Sequence, residues 1–236
     1  MKIARIPLVV ALAAALALAV SGLGVRAGFW PFPTGFRILG NAAYAGLVAA
    51  AAALLALAIP KIRTGAKAML LLSIVLGLAV AYVPWSLQKQ ARALPPIHDI
   101  STDLADPPAF HAILARRAGA PNSADHGGEA VAQAQRLAYP DIQSLSLPLP
   151  PADAFSRAVA AARAMGWELV AEEPAAGRIE ATAATRWFGF KDDVVIRVQP
   201  AAAGSKVDIR SVSRVGRGDA GANAKRIREY LARLAG

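Results

Sequence analysis

Arg178-Ile179-Glu180-Ala181-Thr182-Ala183 alternates apolar with polar or charged side chains at every step. The pattern returns in Val194, Ile196 and Val198 against Arg197 and Gln199, and again in Val207 and Ile209 against Lys206, Asp208 and Arg210. A period of two sends successive side chains to opposite faces of a strand. A fourth run precedes these, with Trp167, Leu169 and Ala171 facing one way and Glu168 and Glu172 the other. Turn signals at Pro174 to Gly177 and Pro200 to Gly204 separate the runs, so each predicts a half-buried strand.

The neighbouring sequence completes the domain. Ile142, Leu145, Leu147 and Leu149 predict a further strand that stops at Pro150-Pro151. Asp153 then stands at an N-cap position before a helix with Phe155, Val159, Ala162 and Met165 on one face, and Gly166 fits the position just past its end. A last helix starts near Asp219 and buries Ala224, Ile227, Leu231 and Leu234, with Lys225, Arg226, Arg228 and Arg233 off that stripe. Strand, helix, four strands, helix implies an α+β domain over 141–236, an antiparallel sheet of about five strands with two covering helices. Residues 94–140 form a Pro- and Asp-rich connector packed on the domain, with short helices expected at Ala109 to Ala118 and Glu129 to Ala138 and a loop at Pro121 to Gly128.

Residues 1–93 are of another kind. The chain of 236 residues is 56% apolar and 18% charged, with 26 basic and 16 acidic side chains and a net charge of +10. Residues 1–92 carry nine of the basic residues and no acidic one, so the excess charge belongs to an apolar, acid-free segment. That is a membrane region of three spans with basic flanks, and not a charge field for nucleic acid. The spans run over about 6–25, 38–59 and 68–87, each near the roughly 20 residues that cross a ~30 Å hydrocarbon core. The first could instead be a signal peptide, with Lys2 and Arg5 before an apolar run and Val25-x-Ala27 as a cleavage-like sequence. Either way, the basic N-terminus and Lys61, Arg63 and Lys67 lie on the cytoplasmic side by the positive-inside rule. The C-terminal domain is then outside the cytoplasm, on a multi-pass protein of the cell (inner) membrane. Gly28-Phe29-Trp30-Pro31-Phe32-Pro33-Thr34-Gly35-Phe36 reads as an interfacial aromatic belt and turn. Small residues at Gly40, Ala43, Gly46, Gly77 and Ala81 let helices approach closely. With no cysteine, disulfides, thiolate metal sites and Cys nucleophiles are excluded.

Four ordered motifs give the chain a family resemblance. They are His98-Asp99-Ile100-Ser101-Thr102-Asp103 with Asp106-Pro107-Pro108-Ala109-Phe110; Ala138-Tyr139-Pro140-Asp141-Ile142; Trp187-Phe188-Gly189-Phe190-Lys191-Asp192-Asp193; and Ser213-Arg214-Val215-Gly216-Arg217-Gly218-Asp219 continuing to Asn223, Arg226 and Ile227. Over roughly residues 95–234 they resemble the uncharacterised family named "domain of unknown function 1499". The membrane half, with Thr34-Gly35-Phe36, looks like its membrane-anchored bacterial form. The resemblance implies no particular activity, ligand or catalytic residue.

Candidate sites come from the residues alone. Gly216-Arg217-Gly218-Asp219-Ala220-Gly221 spells G-x-G-x-x-G before a helix, but only 15 residues follow Gly221, too few for the second strand of a dinucleotide fold. Two readings remain. Asp219 caps the helix, or Arg214, Gly216, Arg217, Gly218, Asn223 and Arg226 hold an anion at the helix start. Trp187, Phe188 and Phe190 either plug a core or form a contact surface for membrane, acyl chain or partner. Asp192 and Asp193, adjacent on a strand, face opposite ways and make a poor acid–base pair. His98, Asp99, Ser101, Asp103 and Asp106 lack an ordered metal-ligand spacing, so no metal, catalytic residue or cofactor is assigned. The chain reads as a membrane-anchored extracytoplasmic module that binds an envelope component or a membrane-protein partner, with the lipid bilayer as its other partner and no nucleic acid. The alternatives are an envelope hydrolase using the acidic connector and an accessory subunit of a membrane complex.

Overall fold

The chain divides into two compact units, Met1–Gln90 with Arg186–Gly189, and Ala91–Thr185 with Phe190–Gly236. This computed structural model describes residues 2–236; Met1 and the Lys2 side chain, part of the expected N-terminal basic flank, lie outside the described residues.

The first unit is helical: α1 (Lys2–Arg26), α2 (Phe32–Ala58), the short α3 (Pro60–Arg63) and α4 (Lys67–Ala93). Three of these, α1, α2 and α4, are long and apolar enough to cross a membrane. Helix α2 begins at Phe32, earlier than the expected span at 38. Pro31 precedes it in an extended conformation and Pro33 falls in its first turn, where a missing N–H costs nothing. The connection after α1 therefore shrinks to residues 27–31. Lipid gives apolar helices no hydrophobic reason to associate, so close contact depends on small side chains. Gly46 and Gly77 supply it between α2 and α4. A Cβ on Gly77 would stand 2.3 Å from the Gly46 carbonyl oxygen. Ala14, Ala42 and Val80 pack as one layer of α1, α2 and α4. Ala4, Ala53, Ala56, Ala66 and Leu70 form another layer nearer the start of α1 and α4.

The second unit is α+β, as its alternating runs predict. Its six-stranded antiparallel sheet contains β1 (Asp99–Ser101), β2 (Leu145–Leu147), β3 (Glu168–Glu173), β4 (Arg178–Ala184), β5 (Lys191–Ala201) and β6 (Gly204–Ser213). The order is β1-β6-β5-β4-β3, with β2 also on β6. Strands β1 and β2 lie end to end along one edge, at Val212 to Arg210 and Val207 to Ser205 of β6. The outer edge of β1 is closed by α5 (Gly128–Ala138), whose buried Gln135 accepts from the Ser101 N–H at 3.0 Å and donates to the Ser101 carbonyl at 2.6 Å. That pairing removes an open strand edge.

One face of the sheet carries the apolar positions of the alternation. Ile179, Ala181, Ala183, Val194, Ile196, Val198, Val207 and Ile209 pack there against α6 (Pro151–Ala164) and α7 (Ala222–Ala235). Trp167 stacks on Tyr230 at 5.3 Å, and the Tyr230 hydroxyl donates to the Ala158 carbonyl at 3.1 Å, joining the two helices. Burial pushes the Tyr230 phenol well above its ordinary value.

The other face corrects the expectation of half-buried strands. Its charged positions are covered by residues 102–126. Glu180, fully buried, accepts the N–H groups of His111, Ala112 and Ile113 at 2.8 to 3.1 Å and so caps a 3-10 helix at Ala112–Arg117, inside the short helix expected at Ala109 to Ala118. Phe110 and Ile113 then pack on Val195 and Val212. Asp193 accepts from Arg117 at 2.6 Å and, at 2.8 Å through two nitrogens, from Arg214. Arg210 donates to Asp99 at 2.7 and 2.9 Å and to the Pro108 and Ala124 carbonyls. Asp208 meets Arg197, Lys206, Thr102 and Ser144. The periodicity marked these strands as polar on one side without saying that the polar side is covered.

Smaller differences have local causes. Helix α6 starts at Pro151, whose ring is pre-organised for the first helical position, so Asp153 lies inside the first turn and not at the cap. Strand β2 is only three residues, and Ile142 belongs to the turn before it. A register shift between Leu169 and Ala171 breaks the alternation in β3 and lets Val170 pack with Phe110 and Ile113. Helix α7 starts at Ala222, and its buried stripe includes Asn223 and Tyr230.

Two predictions follow from the covered charged face. Asp193→Ala leaves Arg117 and part of Arg214 buried without their carboxylate, and should cost about 3–5 kcal/mol of stability in chemical denaturation of the detergent-solubilised chain; an unchanged midpoint would contradict the pairing. The second concerns pH. Burial outweighs the opposing pull of Asp99, with the Arg210 guanidinium adding to it, and holds the His126 imidazole below its ordinary 6.5; its buried Nε2 has no hydrogen-bond partner among the described residues. The unfolded chain then binds more protons than the folded one, so His126 should lower stability as pH falls below 6.5. Burial raises the Asp103 carboxyl, but Lys206 and the N–H groups of Asp106 and Ala105 outweigh it and hold it below 3.8, adding a second loss below that value. Melting temperatures from about pH 7.5 to about 5.5 should fall less steeply in His126→Gln than in the parent.

Candidate functional site

The motif residues converge on the start of α7. The Asp219 carboxylate accepts the N–H of Gly221 at 2.9 Å and of Asn223 at 2.6 Å. Burial raises its pKa above the usual carboxylate value despite these two bonds. The N–H groups that an incoming anion would need are thus occupied from within the chain. Asn223, fully buried, accepts from Ser211 at 2.7 Å and from Arg226 at 2.5 Å, and donates to the His98 carbonyl at 3.0 Å and the Ser213 hydroxyl at 2.9 Å. Arg226 also reaches Asp192 at 2.5 Å. Asp192 and Asp193 do face opposite ways, one toward α7 and one toward Arg117.

Of the six residues proposed as an anion site, the fold therefore joins Asn223 and Arg226 in one network and ties Arg214 to Asp193 on the other face. Gly218 lies against Pro96, where a Cβ would come within 3.0 Å of the backbone. Gly216 accepts from the Asn122 amide at 2.9 Å. Arg217 is different: its guanidinium is exposed and forms no ion pair among the described residues. It lines an open cleft of about 450 Å³ with His98, Asp99, Asn122, Ser123 and Asp125. His98 sits there with Nδ1 3.5 Å from the Arg217 carbonyl, too long for a strong hydrogen bond. The Asp99 carboxylate is held by Arg210, whereas the Asp125 carboxylate accepts from the Ser123 hydroxyl at 3.1 Å and forms no ion pair among the described residues. Sequence reasoning did not find Asn122, Ser123 or Asp125, because a polar loop more than 90 residues from Arg217 carries no spacing signal.

The acidic connector is bound to cations. Asp103 meets Lys206 at 2.7 Å and Arg197 at 3.1 Å, and Asp106 meets Arg197 at 2.7 Å. The Ser101 hydroxyl donates to the Asp103 carbonyl at 2.8 Å while the His98 ring lies by the Arg217 carbonyl, so among the described residues the two are not joined as a nucleophile–base pair. In the second motif, Asp141 holds Arg228 of α7 through two bonds of 2.6 and 2.7 Å, and that guanidinium lies over the Tyr139 ring at 5.4 Å. A larger cleft of about 810 Å³, between α6 and the turns at 174–177 and 199–200, contains only the Arg163–Glu172 ion pair and no motif residue.

The aromatic motif is divided. Phe190 closes the β4–β5 connection, its N–H donating to the Thr185 hydroxyl at 2.9 Å. Trp187 and Phe188 belong to the first unit. Phe188 is buried against Phe36 at 5.1 Å, and the Trp187 indole N–H donates to the Ala19 carbonyl at 3.0 Å.

Comparison with known proteins agrees with the motifs. No curated protein and no solved structure matches the chain. A family model described as "Protein of unknown function (DUF1499)" matches residues 99–234, which span β1 through α7 and every ion pair of the covered sheet face. The chain belongs to the DUF1499 family.

Proposed function

We propose that this protein is a membrane-anchored binding module whose α+β domain stands outside the cytoplasm of the inner membrane and takes an anionic group of an envelope component in the cleft beside Arg217. One observation carries the reading: Arg214 and Arg226 are engaged by buried carboxylates, while Arg217 is exposed at a cleft and forms no ion pair among the described residues. A guanidinium is a strong, planar donor for phosphate or carboxylate. Asp125 on the same cleft favours a ligand that presents a hydroxyl or amine beside its anion, as a phosphate ester of a polyol does. The ion pairs that hold Asp99, Asp103 and Asp106 to arginine or lysine speak against catalysis by the acidic connector. The extracytoplasmic side rests on the basic flanks at the N-terminus and at Lys61, Arg63 and Lys67.

Ligand binding is tested by thermal shift and calorimetry of the detergent-solubilised full chain with inorganic phosphate, glycerol phosphate and cell-wall fragments. The parent should be stabilised by at least one of them. Arg217→Ala should weaken that binding by about 1.5–3 kcal/mol, the range for one charged hydrogen bond, while its own melting temperature stays near the parent's because the side chain is exposed. No shift with any of the three would remove the cleft as a site. Topology is tested apart from this. Alkaline phosphatase fused after Gly236 should be active and a cytoplasm-only reporter there silent; the reverse pair would place the domain inside.

A further inference from the structure

We propose that Arg186–Gly189 is a lipid-contacting finger, with Trp187 and Phe188 at the headgroup–acyl boundary of the bilayer and Arg26 and Arg186 facing the phosphates above them. The inference does not depend on the cleft. These four residues connect β4 to β5, yet they belong to the unit of the membrane helices. Gly189 makes the turn at φ +68° and lies against the Arg26 side chain, where a Cβ would come within 2.9 Å. The Arg26 guanidinium donates to the Arg186 carbonyl. Below it the Trp187 ring lies against Gly22, where a Cβ would stand 2.6 Å from the indole.

The depth of the indole follows from the helix packing. Ala14, Ala42 and Val80 pack in one layer. Ala19, whose carbonyl accepts the Trp187 N–H, is five residues beyond Ala14; Trp85 is five beyond Val80; Phe36 is six before Ala42 on the antiparallel α2. At ~1.5 Å per residue all three stand about 7–9 Å from the layer, toward the same end of the bundle. Trp85 has the surroundings of an interfacial anchor, with Tyr82 at 5.5 Å and the Lys89 ammonium over its ring at 5.3 Å. Trp187 shares that level. Arg26 is seven residues beyond Ala19, about 10 Å farther out, where headgroup phosphates lie. Arg26 and Arg186 are exposed, and residues 1–92 contain no acidic side chain to compete for them. Half-buried indole, phenyl rings and guanidinium groups in this order fit the phospholipid interface.

The test uses the full chain in nanodiscs of phosphatidylcholine and phosphatidylglycerol. Trp30→Phe/Trp85→Phe/Trp167→Phe leaves Trp187 as the single fluorophore. Its emission should be lost to lipid brominated at the sixth and seventh acyl carbons, less so to lipid brominated near the chain end, and not to aqueous iodide. Quenching by iodide without quenching by bromolipid would overturn the proposal. A second measurement avoids altering three tryptophans. The chain has no cysteine, so Trp187→Cys is a unique thiol; a membrane-impermeant maleimide should label it far more slowly than Gln199→Cys, which is exposed on β5. Equal rates would put the finger in water.

Discussion

The carboxylate of Asp193 lies fully buried on the face of the sheet that α6 and α7 do not cover. A charge there must be paired and hydrogen-bonded, or the fold pays several kcal/mol. Arg117 and Arg214 supply the pairing, and the Thr182 hydroxyl adds a bond to Oδ1 at 2.8 Å. The same two arginines then tie other segments down. Arg117 holds the carbonyls of Asn122 and Ser123, and Arg214 holds that of Arg116. Satisfying one buried charge thus determines where residues 112–123 run. Glu180, Arg210 and Asp208 impose the same condition at neighbouring positions, so the connector becomes an integral layer of the domain.

This arrangement shapes what the domain can do. Buried ion pairs are weak sources of net stability, and their best-attested effect is to select one arrangement over others. Here they hold the carboxylates of Asp99, Asp192, Asp193 and Asp208. Polar groups that look catalytic in composition, such as His98, Ser101 and Asp103, are turned to different partners. Arg217, exposed beside the polar loop 121–127, is the group on which the proposed anion binding rests.

The helical unit obeys another rule. Its helices keep their charged side chains toward their ends and rely on small residues for close contact, as Gly46 and Gly77 illustrate. Its specific chemistry is confined to one end, where aromatic rings and arginines gather, some from α1 and α2 and some from a turn distant in sequence.

Periodicity alone was enough for the α+β class, four of the strands, α5, α6, α7 and the three apolar spans, because each follows from side-chain patterns within a dozen or so neighbouring residues. The same local reading placed Asp219 at the head of α7 and set Asp192 and Asp193 on opposite faces. It treated His98 to Asp103 as connector because β1 is three residues long and its two neighbours, β6 and Gln135, lie far along the chain. It left the charged side of the sheet in solvent because alternation reports that two faces differ, not what covers either one. Which arginines answer Asp193, that Arg217 stays exposed, and that Trp187 meets Ala19 across 168 residues, are matters of long-range pairing. They were decided only when the folded chain brought those groups within hydrogen-bond reach.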